Sequence, residues 1–385
     1  MLPSLRFGEL TAPVPIVQGG MSVGISLAGL ASAVANEGGV GVIGTAGISK
    51  FKLHPGLDFI GSENLALRNE IKKARGLIHG RGLLGVNIMV ALSNFAELAR
   101  TAIEEKIDCI FAGAGLPLNL PSLASDHMHT KLVPIISSAR AGHLIAKLWV
   151  KRFNYVPDAF VVEGPLAGGH LGFKLEQIND PAYALEHLVP EVLAMARELE
   201  QAYGKPIPII AGGGIYTGGE ALDYFRMGVS GVQMATRFVT THECDAAAEF
   251  KQAYLDTRPD DIVIIQSPVG LPGRAIRNDF IDKVKAGQRM PFSCPYHCII
   301  TCDWSQSPYC IALALLNAQK GQFANGFAFC GSNAYRADKI VSVKEVIDAI
   351  KAEYEEAALA AGPGHLPAGP RSARGSPGPS APSAG

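Results

Sequence analysis

A single histidine in a glycine-rich loop is the first residue whose setting suggests chemistry. In "EGPLAGGHLGF" (163–173), Glu163 closes the apolar run "AFVV", and His170 follows Gly168 and Gly169. An imidazole with a pKa near 6.5 exchanges protons around neutral pH, so His170 is a candidate general acid or base. Further candidates also stand where apolar runs end. Gln18, Gly19, Gly20 and Met21 follow "VPIV", and such small groups let a flat ligand approach backbone amides. Asn87 interrupts an apolar run, where its amide needs a partner. Ser137 ends another run, next to Ser138.

Two glycine-bearing stretches point to an anion. "IPIIAGGG" ends in Gly212, Gly213 and Gly214, and "GVQMATRF" brings Gln233, Met234, Ala235 and Thr236 to the end of the next run. Backbone N–H groups unobstructed by side chains, next to helix starts, form a phosphate cradle. Four thiols crowd together in "CPYHCIITCDWSQSPYC". Cys294, Cys298, Cys302 and Cys310 are soft donors of the kind that hold an iron–sulfur cluster or zinc. A helical stripe of packing or redox thiols is the alternative. His127, His129, His143 and His187 read as ordinary surface or satisfied histidines.

Elements able to position these groups alternate along the chain. Apolar runs occur at 14–20, 40–44, 83–90, 108–115, 132–137, 159–163, 207–214 and 230–235, most of them followed by a helical pattern. Runs that are continuously apolar describe strands buried on both faces, as in a parallel sheet wrapped by helices. Eight such units fit an α/β fold of the (β/α)8 TIM-barrel type, in which chemistry sits at the C-terminal strand ends. A doubly wound sheet is the competing arrangement, but the glycines after the first run lack the G-x-G-x-x-G spacing. The expected organisation is a barrel over 1–245, a smaller mostly helical region over 246–360 with the cysteine segment at 294–310, and a disordered Pro/Gly/Ser/Ala-rich tail over 361–385.

The 385 residues carry a net charge of −1 and are 48% hydrophobic. That balance gives no footprint for nucleic acid. No run approaches the roughly 18 apolar residues of a membrane helix. No export signal is evident and the seven cysteines are odd in number, so a soluble, cytoplasmic protein without a disulfide framework is expected.

"PIVQGGMS", "GVN", "EGPLAGGHLG", "IIAGGGI", "GVQMATRFVTTHE" and "GLPGRAIRN", taken together over about residues 10–280, resemble the nitronate monooxygenase (2-nitropropane dioxygenase-like) family, which is related to flavin-dependent enoyl-acyl-carrier-protein reductases. The resemblance implies a barrel that binds FMN. Gly19, Gly20 and Met21 would line the isoalloxazine, and Asn87 would bond to the flavin or its ribityl chain. Gly213, Gly214, Gln233, Ala235 and Thr236 would hold the phosphate, with His170 acting near the flavin N5. Two departures stand out: Ala235 replaces a usual glycine, and Leu166-Ala167 replaces a common Glu-Ala. The implied reaction is oxidation of a nitronate or nitroalkane by O2. Reduction of an enoyl thioester by NAD(P)H on the same scaffold is the alternative, and a non-catalytic flavin-binding redox module a third reading. The expected partner is a small-molecule substrate, not nucleic acid or membrane.

Overall fold

A computed structural model describes residues 2–123, 129–290 and 292–362. His127 and the tail from 363 onward lie outside the described residues. A short hairpin, β1 (Leu5–Phe7) and β2 (Leu10–Ala12), precedes the barrel. The barrel strands are β3 (Ile16–Gln18), β4 (Val40–Gly44), β5 (Leu83–Met89), β6 (Cys109–Gly113), β7 (Lys131–Ile136) and β8 (Phe160–Glu163). After the two-residue β9 (Gly169–His170) come β10 (Ile209–Gly212) and β11 (Gly231–Met234), which complete it. Each pairs in parallel with its neighbours, and β11 pairs with β3 to close the ring. All eight expected strands are therefore present, in the expected order.

Strand periodicity divides the core in two. Val17, Val40, Val42, Phe111, Val133, Val161 and Ile210 point inward and fill the barrel. Neighbours such as Ile43, Phe160 and Val162 point outward, against the helices. Leu5, Phe7 and Ala12 of the hairpin join the inner cluster. The hairpin thus plugs the end where the strands begin, leaving the opposite end free to hold a ligand.

The helices between strands are α1 (Ala28–Asn36), α2 (Phe59–Leu77), α3 (Phe95–Glu104), α4 (Ala139–Phe153), α5 (Leu185–Tyr203) and α6 (Gly218–Met227). Ser138 caps α4 by accepting from Ala141 N, and Thr217 with Glu220 forms a capping box on α6. Such caps satisfy amides that have no partner within the helix. After β11 come α7 (Thr236–Val239) and α8 (Ala248–Leu255), then a hairpin of β12 (Ile262–Gln266) and β13 (Pro272–Ile276). Helices α9 (Asp279–Lys285), α10 (Ile311–Gln319) and α11 (Val343–Ala360) follow.

The C-terminal region is less purely helical than expected, because "IVIIQ" and "PGRAI" pair as β12 and β13. This hairpin does not stand apart. β13 also pairs antiparallel with β9, so a strand from beyond residue 270 carries His170. Helix α11 packs on α6, where a Cβ at Gly218 would fall 2.0 Å from Ile350 O. Among the described residues no helix is long and apolar enough to cross a membrane.

Candidate active site

One cavity lies at the C-terminal ends of the strands. Gly19, Gly20 and Met21 line it after β3, Asn87 from β5 and Glu163 from β8. The loop beyond β8 adds Gly168, Gly169 and His170; the loops after β10 and β11 add Gly213, Gly214 and Gln233 through Thr236. Three other expected residues serve the frame instead. Gln18 is fully buried, its side chain donating to Gly19 O and accepting from Val42 N at 3.0 Å. Ser137 Oγ donates to Gly172 O at 3.1 Å, fastening the histidine loop. Gly212 is a buried strand residue beside Gln233, with 3.2 Å from a built Cβ to Gln233 Cβ. None of the three lines the cavity.

Glycine is required where backbone must come close. A Cβ on Gly20 would lie 2.5 Å from Asn87 Cβ, and one on Gly213 would lie 2.8 Å from Gly164 O. Gly213 and Gly214 also adopt φ of +98° and +93°, a region that disfavours other residues. A segment missed in the sequence closes this end. Gly331 N donates to Thr236 Oγ1 at 3.1 Å, Ser332 N to Leu166 O at 3.2 Å, and Asn333 Nδ2 to Gly214 O at 2.7 Å. Gly331, Ser332 and Asn333 all line the cavity. The "GSN" turn signal was present, but its partners lie more than 90 residues away.

His170 is held from several sides. Its backbone is fixed by the β9–β13 pairing, and Nε2 lies 2.8 Å from Ser267 Oγ. Its ring meets Phe329 edge-on at 4.9 Å between centroids. Ser267 is buried, in the turn between β12 and β13. Arg274, also buried, donates from Nη1 to Pro165 O and Ala167 O at 2.7 Å each, so a guanidinium sets the shape of the loop. Burial pushes the imidazole down to about 4, leaving it neutral at neutral pH. Burial pushes the Glu163 carboxyl up to about 7. The carboxyl of Glu163 and the side-chain amides of Asn87 and Gln233 have no hydrogen-bond partner among the described residues. Leu166 also lines the cavity and offers no polar contact there.

The metal expectation is not confirmed. Among the described residues no group of three or more His, Cys, Asp or Glu side chains could hold a metal ion. Cys294, Cys298, Cys302 and Cys310 are electrostatic neighbours, but they diverge in role. Cys298 faces the cavity, with burial pushing its thiol up to about 12, while Cys302 Sγ lies 4.0 Å from Ser307 Oγ. Cys310 is the N-cap of α10. The backbone from 292 to 309 is irregular, so the thiols form no helical stripe either. His129 and His143 pair with Asp108 and Glu198, as ordinary histidines do.

A family model described as nitronate monooxygenase matches residues 6–353. A probable nitronate monooxygenase from Staphylococcus saprophyticus subsp. saprophyticus is 24% identical over 298 residues, covering 72% of this chain and 79% of that protein. FabK from Thermotoga maritima superimposes with a TM-score of 0.68 at 26% identity, over 89% of this chain and 93% of the other. Nitroalkane oxidase from Streptomyces ansochromogenes gives 0.69 at 20% identity over 91% and 98%, a likeness of fold. With its barrel, its cavity and this match over nearly the whole chain, the protein belongs to the nitronate monooxygenase family and is a flavin-dependent oxidoreductase of that type.

Proposed function

We propose that the flavin is FMN and that the chain oxidises a nitronate, with O2 as the final electron acceptor. The observation that carries the reading is the set of Asn87, Glu163 and Gln233, whose side chains face the cavity without a protein partner. These three residues are half-buried, and a ring system rich in hydrogen-bonding edges would give their polar groups partners as it displaces water. Gly19 and Gly20 leave room for a flat ring, and the backbone of Gly213, Gly214, Ala235 and Thr236 forms the phosphate end. No lysine or arginine lines the cavity among the described residues, so backbone N–H groups and the Thr236 hydroxyl would hold that phosphate. When bound, FMN would supply a two-electron acceptor beside the substrate.

His170 would then act through Nδ1, which has no partner among the described residues. In the tautomer whose Nε2–H donates to Ser267 Oγ, Nδ1 carries a lone pair able to receive a proton or a hydrogen bond from substrate; in the other, Ser267 donates and Nδ1–H faces the substrate. Its neutrality argues against a role as a cationic clamp. Glu163, titrating near neutral pH, offers a second proton store at the same wall.

Reduction of an enoyl thioester by NAD(P)H is the second reading, supported by the likeness to FabK. Neither proposal includes an iron–sulfur cluster. Anaerobic mixing of the yellow protein with a nitronate, and separately with NADH and NADPH, tells the readings apart. Bleaching by the nitronate alone supports the first; bleaching only by a pyridine nucleotide supports the second.

A further inference from the structure

The cavity extends beyond the residues assigned to the flavin, into a chamber with different chemistry. Its walls are Phe51, Phe59, Leu92, Ile299, Ile311 and Leu315. The cysteine-rich segment forms one side, pinned by Ser93 N donating to Cys298 O at 3.1 Å and Ile300 N to Ala91 O at 2.9 Å. Tyr296 of the same segment stacks on Phe59 at 4.7 Å, bracing the aromatic wall. Among the described residues no lysine or arginine lines the chamber, and burial pushes the Cys298 thiol up to about 12, which keeps it neutral. The one carboxylate, Glu63, is occupied by Ile48 N, Ser49 N and Ser49 Oγ.

A single polar group is left over. Asn94 is 2% exposed, lines the cavity, and its Nδ2 has no hydrogen-bond partner. It stands at the N-cap of α3, where asparagine normally accepts from a first-turn amide, but its side chain makes no such bond. A buried amide that forgoes both cap and partner is costly unless a ligand completes it.

We propose that this chamber binds the carbon chain of the substrate, an uncharged aliphatic tail bearing a hydrogen-bond acceptor that meets Asn94 Nδ2. Short nitronates and those with a second, carboxylate charge fit it poorly: the first leave the apolar wall and Asn94 unmatched, the second find no cation. The inference rests on the oxidoreductase reading only in setting the reacting end of the ligand toward His170.

Calorimetric titration of the flavin-loaded protein with straight-chain methyl ketones, from butanone to 2-decanone, tests it without turnover. Affinity should rise about threefold per methylene until the chamber is full. Alkanoates of equal length should bind at least about tenfold more weakly, and Asn94→Leu should cost the ketones about tenfold. Ala312→Phe, at the α10 wall, should flatten the chain-length dependence. A flat series in the unmodified protein, or alkanoates that bind as well as ketones, overturns the proposal whatever the variants do. A steep series in a protein that no nitronate reduces would overturn the reaction assignment and leave the chamber standing.

Discussion

The two ends of the barrel treat polar groups in opposite ways. Where the strands begin, Asp158 accepts from Leu132 N at 2.8 Å, Tyr155 Oη at 2.6 Å and Lys205 Nζ at 2.8 Å. Asp108 likewise meets Leu84 N at 2.7 Å, Arg75 at 2.8 Å and His129 at 2.9 Å. Where the strands end, Asn87, Asn94, Glu163 and Gln233 face a cavity with their side chains unpartnered. Aspartates with several partners each stabilise one end, while amides and a carboxyl without partners line the cavity at the other. Stability and function are thus separable along the barrel axis.

Substitutions at the two ends should fail in different currencies. His170→Ala should lower turnover about 100- to 10,000-fold while flavin content and unfolding midpoint hold. Steady-state assays alongside thermal melts would show this, and an unchanged rate removes His170 from the chemistry. Asp158→Ala, at the plugged end, should destabilise by about 3–5 kcal/mol because Lys205 and Leu132 N lose their partner. Its flavin content per folded molecule should stay normal in denaturant titrations, and a selective loss of flavin would break the comparison. Gly213→Ala joins both effects. A φ of +98° and the contact with Gly164 O should cost about 1–3 kcal/mol and displace the flavin, read from the extracted cofactor.

The smallest effect is in the pH dependence of stability. His170 is held below its free value, so from about pH 4 to 6.5 the unfolded chain binds the proton more readily and stability rises with pH. Glu163 is held above its free value, so from about pH 4.5 to 7 the folded chain keeps its proton and stability falls as pH rises. These slopes oppose each other in the apoprotein. Glu163→Gln should expose the histidine term, a rise of about 1 kcal/mol per pH unit over the shared window, measured by urea unfolding. A flat profile in that variant contradicts the burial of His170.

The strands were legible because parallel strands buried on both faces leave continuous apolar runs, as in "VGVIG" and "AFVV". Gly213 and Gly214 were legible because their backbone conformation admits few other residues. Ser267, Arg274 and Phe329 were not, since they reach His170 or its loop only through the β13 pairing, about 100 residues or more downstream. The arrangement of the cysteines was not legible for a related reason: spacing fixes geometry only on a regular backbone, and theirs is irregular. The assignment of the domain boundaries at 245 and 360 is a proposal that limited proteolysis can address.

The central claim is that the open end of this barrel holds FMN and that substrate electrons enter it there. Anaerobic titration of the purified protein with a nitronate, followed in the visible spectrum and then exposed to O2, tests this most directly. The account predicts a flavin spectrum that bleaches on titration, returns with O2, and yields FMN on extraction. A protein without extractable FMN, or one whose flavin ignores the nitronate and bleaches only with NADH or NADPH, would contradict it.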